Sequence, residues 1–98
     1  MIKTSGNRVS PTEVEEAAVA SGAVAEAVAL GVPDDRLGEA IALVVRGKGQ
    51  EADSELRHYL RRELPNFMQP AHILWRDELP RSPNGKLDRE IIKSELSA

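Results

Sequence analysis

Ninety-eight residues with a net charge of −3 and 30% charged side chains of both signs make one small domain. That balance excludes the one-signed basic face of a nucleic-acid binder, and the lack of cysteine excludes disulfides and thiol chemistry of the chain's own. No apolar run approaches the roughly 20 residues needed to span a bilayer, and no apolar signal segment follows Met1, so a soluble, cytoplasmic chain is expected.

Residues 2–11 read as a loop that feeds a helix. Ser10 suits the N-cap, Pro11 the first helical position, and Glu13 would close a capping box. Val14, Ala17, Ala18 and Val19 are expected to give this first helix an apolar face, and Gly22 stops it. A strand follows from Val24 to Val32. Val24, Val28, Leu30 and Val32 share one parity, with Glu26 the exception, and Ala25, Ala27 and Ala29 take the other face, where small residues let a helix sit close. Pro33-Asp34-Asp35 breaks it, and a second strand from about Glu39 to Arg46 alternates in a way that predicts antiparallel pairing with the first.

Asp53 or Ser54 is expected to cap a second helix. Leu56, Tyr59, Leu60 and Leu64 form its apolar stripe, Arg57, Arg61 and Arg62 its wet face, and Pro65 its end. Pro70 introduces a third strand over 71–76. A proline and an Asn-Gly pair then force a turn around Lys86, and Asp88 caps a last helix whose Ile91, Ile92 and Leu96 could dock on the sheet. The expected architecture is a small α+β domain: a three-stranded, mostly antiparallel sheet packed with about three helices. Only Tyr59, Phe67 and Trp75 are aromatic, so Ala, Val, Leu and Ile must fill the interior.

Two segments could carry chemistry. In Ile2-Lys3-Thr4-Ser5-Gly6-Asn7-Arg8, Gly6 permits close approach of a ligand, Arg8 offers a planar fork for phosphate, and the helix start favours anions; the same residues also suit an ordinary loop. In Leu79-Pro80-Arg81-Ser82-Pro83-Asn84-Gly85-Lys86-Leu87-Asp88-Arg89, a pinned turn holds one ammonium that could meet a carboxylate and a phosphate at once; it also suits a solvated lysine beside a turn. His58 and His72 lack partners at ligand spacing, so no metal site is expected, and Ser5, Ser10 and Ser82 have no identifiable base.

Taken together these segments resemble the adenylate-forming superfamily of AMP-dependent synthetases and ligases, the acyl-CoA synthetases. Lys3 to Glu15 is similar to its eighth core motif, with Pro11-Thr12-Glu13-Val14-Glu15 as the helix start. Leu79 to Arg89 is similar to its tenth, and Leu64-Pro65-Asn66-Phe67-Met68-Gln69-Pro70 to the link between them. The three occur in family order and cover essentially the whole chain.

The resemblance implies that residues 1–98 form the C-terminal lid of a larger ligase whose N-terminal nucleotide-binding domain and hinge residue lie outside this sequence. It implies a mechanism in which ATP and a carboxylate give an acyl-adenylate and pyrophosphate, after which the lid rotates and CoA takes the acyl group. Lys86 would be the catalytic lysine of the first step. Ser5, Gly6 and Asn7 would line the CoA channel, and Arg8 would contact phosphate. ATP, CoA and Mg²⁺ with the ATP would be held mainly by the N-terminal domain, the lid's partner, and the 98 residues alone would be inactive. Asn84-Gly85-Lys86-Leu87-Asp88-Arg89 leans toward the peptide-synthetase branch, which loads a carrier protein, whereas Ser5 to Pro11 leans toward CoA ligases, as does a chain ending at Ala98 without a carrier domain. A stand-alone interaction module that kept the fold without the chemistry is the remaining alternative.

Overall fold

The computed structural model describes residues 1–36 and 38–97. The elements run β1 (Ile2–Thr4), β2 (Asn7–Val9), α1 (Pro11–Ala20), β3 (Val24–Asp34), β4 (Gly38–Gly47), α2 (Asp53–Glu63), β5 (His72–Trp75) and α3 (Arg89–Ser97). The fold is α+β, as expected, but the sheet has five strands, in the order β2-β1-β4-β3 with β5 on β4. Every pairing is antiparallel except β4–β5, which is parallel. A parallel neighbour needs a long crossover, and α2 supplies it.

The two additional strands correct the expected loop over residues 2–11. Ile2 pairs with Val9 and Thr4 with Asn7, leaving Ser5-Gly6 as a two-residue turn. Both turn residues have positive φ, 52° and 80°, as the tight turn matching strand twist demands. Ile2 and Val9 are buried in the core, which explains why so short a hairpin persists.

β3 and β4 form the frame, registered from Val24↔Gly47 to Asp34↔Gly38. A register shift between Val24 and Glu26 moves Val24 onto the alanine face, so the strict parity expected for this strand fails at its start. On that face Ala27, Ala29, Ile41, Leu43 and Val45 meet Val14 and Ala18 of α1 and Leu56 and Leu60 of α2. Ala27 and Ala29 are buried against these helices, whereas Ala25, and Val19 on α1, are exposed. On the opposite face Val28, Leu30 and Val44 meet Leu79 and Ile92, with Leu87 and Leu96 packed against them. Ile92 and Leu96 of α3 thus dock as expected, whereas Ile91 faces solvent.

One expected helix cap keeps its position without its side-chain bond, and another is displaced. Ser10 has the extended N-cap backbone, but its hydroxyl makes no cap bond, and Pro11 sets the entry to α1. Ala52, not Asp53 or Ser54, holds the N-cap position of α2, because a 3₁₀ turn over 50–52 runs directly into it. The Asp53 carboxylate instead accepts from Trp75 Nε1 at 2.9 Å and Arg57 Nε at 2.7 Å. Burial pushes its pKa up, and these two donors more than reverse that, leaving it below the ordinary value. Asp88 does cap α3, accepting the Ile91 N–H at 3.1 Å. Gln69 closes the other end of α2: its amide donates to the Leu60 and Leu64 carbonyls at 2.8 and 2.9 Å.

Candidate functional site

Lys86 leaves the second core layer on a braced loop. Leu79 before it is buried and Leu87 after it is partly buried, so both arms are anchored by apolar contact. Between them, Arg81 and Leu87 form an antiparallel bridge. The Ser82 N–H donates to the Lys86 carbonyl at 2.7 Å, the Gly85 N–H to the Ser82 carbonyl at 2.9 Å, and the Asp88 N–H to the Pro80 carbonyl at 2.8 Å. Gly85 stands at φ +83°, a left-handed conformation that glycine adopts without strain. The loop spends its polar groups on itself and presents an exposed Lys86 whose ammonium meets no partner among the described residues.

Arg81 reaches across to the sheet. Its guanidinium donates to the Gly85 carbonyl at 2.9 Å and pairs with Glu26 of β3. Glu26 also accepts Arg46 Nε at 2.7 Å. The Arg46 bond lowers the Glu26 pKa; burial opposes it and Arg81 adds to it, leaving the carboxyl below its ordinary value of 4.5. A group with a depressed folded pKa contributes stability that is complete above its ordinary value and is lost as pH falls through the folded one. The melting temperatures of wild type and Glu26→Gln should therefore differ at pH 7 and converge as pH drops below 4.5; a gap that widens in acid would contradict this assignment.

Ser5, Gly6, Asn7 and Arg8 occupy the other end of the sheet. Thr4 pairs with Gly38, at the end of the β3–β4 hairpin remote from Glu26 and Arg46. The eight-residue step from Gly38 to Arg46 spans roughly 27 Å of strand. The structure thus brings Ser5, Gly6, Asn7 and Arg8 together and separates them from Lys86. Gly6 sits at the hairpin tip, and a Cβ added there would meet nothing within 4 Å. Ser5 is the only non-glycine residue with positive φ among the described residues, and its carbonyl accepts from the Asn7 amide at 3.4 Å.

Arg8 stands directly opposite Lys3 on the exposed face of this hairpin. Like charges at such a cross-strand pair, with Cβ atoms about 4.5–5.5 Å apart, repel one another. Neither side chain has a carboxylate partner among the described residues, so the pair is a place where an anion would be welcome.

The remaining candidates recede. His58 and His72 are both exposed, and no group of three or more His, Cys, Asp or Glu among the described residues could hold a metal ion. No helix among the described residues is long and apolar enough to cross a membrane. Sequence reasoning missed Arg81 and the Glu15–Arg89 contact. Glu15 accepts from the Ala29 N–H and from Arg89, which ties α1 to the segment after Lys86.

The chain belongs to the AMP-binding enzyme C-terminal domain family, which it matches over residues 13–86. It is 39% identical over 99 residues to the acetyl-coenzyme A synthetase of Pyrobaculum arsenaticum, covering 96% of this chain and 15% of that enzyme. It is 41% identical over 92 residues to CymA of Salinispora arenicola, a probable nonribosomal peptide synthetase, covering 93% of this chain and 1% of that protein. Its fold superposes on a fatty acyl CoA synthetase of Mycobacterium tuberculosis with TM-score 0.90 and 26% identity, over 99% of this chain and 20% of that one. The chain therefore spans no more than a fifth of any of the three.

Proposed function

We propose that this chain is the mobile C-terminal domain of an ATP-dependent acid–thiol ligase and works against its own N-terminal adenylation domain. In the first half-reaction a carboxylate oxygen attacks the α-phosphorus of ATP. The acyl–O–P bond forms, the α–β phosphoanhydride bond breaks, and pyrophosphate leaves. Lys86 meets the carboxylate and the α-phosphate region as charge shifts between them. One preorganised cation of this kind is worth on the order of 3–4 kcal/mol in the transition state. Mg²⁺ would be held with the ATP by the partner domain and would neutralise phosphate charge there.

In the second half-reaction the thiolate of CoA attacks the acyl carbon and AMP departs. Ser5, Gly6 and Asn7 line the channel through which the thiol arrives, and Arg8 contacts phosphate. A hinge rotation of the whole domain exchanges one end for the other between the two steps. The observation that carries this reading is the unpartnered Lys86 ammonium on a loop braced by its own hydrogen bonds. The separation of that loop from the Ser5–Gly6 hairpin supports the two-step division.

The acetyl-coenzyme A and fatty acyl CoA synthetases among the relatives favour CoA as the acceptor. The peptide-synthetase relative keeps a carrier-protein thiol as the second reading. ATP–pyrophosphate exchange on the intact protein, run against a panel of carboxylic acids, tests the proposal. Acid-dependent exchange is expected; its absence with every acid that yields a thioester would reject the adenylate route.

A further inference from the structure

Before the lysine, the loop is fastened to the sheet by a fork at Arg81; past the lysine, Arg89 donates to the Ala29 carbonyl of β3 and to Glu15. Arg81 Nη1 donates to the Gly85 carbonyl, one residue before the lysine, and Nη2 donates to Glu26 Oε2. The other Glu26 oxygen accepts from Arg46 Nε, and Glu26 and Arg46 face each other across β3 and β4. Both oxygens of Glu26 are thus committed, one to the frame and one to the loop. The bonds Ser82–Lys86, Gly85–Ser82 and Asp88–Pro80 join the loop only to itself. Among the described residues, no other hydrogen bond ties residues 80–87 to the sheet. Leu79 and Leu87 fix how deep the loop sits, but apolar contact is not directional and does not fix where its tip points.

The fork contributes little to stability where it lies. The Arg81 side chain is 45% exposed, and ion pairs at such positions add little to folding. Glu26 nonetheless occupies a β3 position whose neighbours on that face, Val28 and Leu30, are apolar core residues. The cross-strand pair with Arg46 accounts for one carboxylate oxygen there, and the other is the one that reaches the loop.

We propose that Arg81 and Glu26 are positioning residues for adenylate formation, fixing the Gly85 carbonyl and, through it, the direction in which Lys86 projects. The inference rests on the reading of Lys86 given above. Neither residue touches substrate. Arginine suits the task because its planar guanidinium reaches two acceptors at once in fixed geometry, which a lysine ammonium does not reproduce.

The test uses the intact ligase, with Arg81→Ala, Arg81→Lys, Glu26→Gln, Lys86→Ala and the double variant Arg81→Ala/Lys86→Ala. Adenylate formation and thioester formation from supplied acyl-adenylate are measured separately. A misplacement of about 1 Å costs on the order of 10²-fold, so Arg81→Ala should lower kcat for adenylation by about 10- to 100-fold. KM for ATP and acid should stay within about twofold, as expected when only transition-state contacts are lost. Thioester formation should not change. Glu26→Gln keeps an oxygen acceptor and should lose less, with Arg81→Lys between the two. Because Arg81 acts through the lysine, Arg81→Ala should add nothing to Lys86→Ala. Wild-type adenylation in Arg81→Ala, additive losses in the double variant, or equal losses in both half-reactions would each overturn the inference. A crippled Lys86→Ala beside a normal Arg81→Ala refutes the fork alone; a normal Lys86→Ala refutes the reading of the lysine beneath it.

Discussion

Lys86→Ala in the intact ligase is expected to slow adenylate formation by about 10²–10³-fold while leaving thioester formation from supplied acyl-adenylate near the wild-type rate. The loop makes the experiment clean. Lys86 contributes its carbonyl to the Ser82 N–H, a backbone bond that alanine keeps, and its ammonium holds nothing else in place among the described residues. The variant should therefore fold and melt like the wild type. Single-turnover measurement of each half-reaction separates the outcomes. Equal loss in both would mean a folding defect or a wrong role for the lysine.

Gly6→Leu should give the converse pattern, slowing thiol transfer by on the order of 10–10²-fold, with a smaller effect on adenylation. Two effects combine at this position. Gly6 stands at φ +80°, where any L side chain costs about 1–2 kcal/mol. Its Cβ direction is open in this domain, so obstruction by leucine arises only where something else approaches the hairpin tip. Gly6→Ala separates the two, because alanine carries the backbone strain with little of the bulk. Thiol transfer should fall far more in Gly6→Leu than in Gly6→Ala, although their melting temperatures should be alike. Identical CoA kinetics in the two variants would remove Gly6 from the channel.

The elements that sequence reasoning found are those long enough to show a pattern. β3 and β4 carry continuous apolar runs, buried on both faces and bounded by turn residues, and α2 carries an apolar stripe through Leu56 and Leu60. β1 and β2 have three residues each, too few to alternate visibly. Their signal was symmetry: Ile2 and Val9 stand equally far from Ser5-Gly6, which closes the turn between them. Ser10 and Pro11 take the expected N-cap and first helical positions of α1, although the serine hydroxyl makes no cap bond. The cap of α2 was misjudged because a 3₁₀ turn runs directly into the helix and moves the N-cap from Asp53 to Ala52.

The candidate site divides in the same way. The exposure of Lys86 was legible because Pro83 and Asn84-Gly85 act within a few residues of it. The partners of Arg81 and Arg89 were not, since Glu26 and Glu15 lie 55 and 74 positions away along the chain. Glu26 did leave a trace as the one charged residue breaking the apolar parity of its strand. A charged residue that breaks an apolar pattern at a half-buried position is a pointer to a partner elsewhere.

As a proposed lid, residues 1–98 would supply one wall of an active site and not a complete one. Calorimetric titration of ATP into the 98-residue chain tests it most directly. If the domain lends only Lys86 and a hairpin to a site built on its partner, binding should be weaker than millimolar, less favourable than about −4 kcal/mol. Micromolar binding, about −8 kcal/mol, would mean that the chain holds a nucleotide site of its own, and the account of it as a lid would be contradicted.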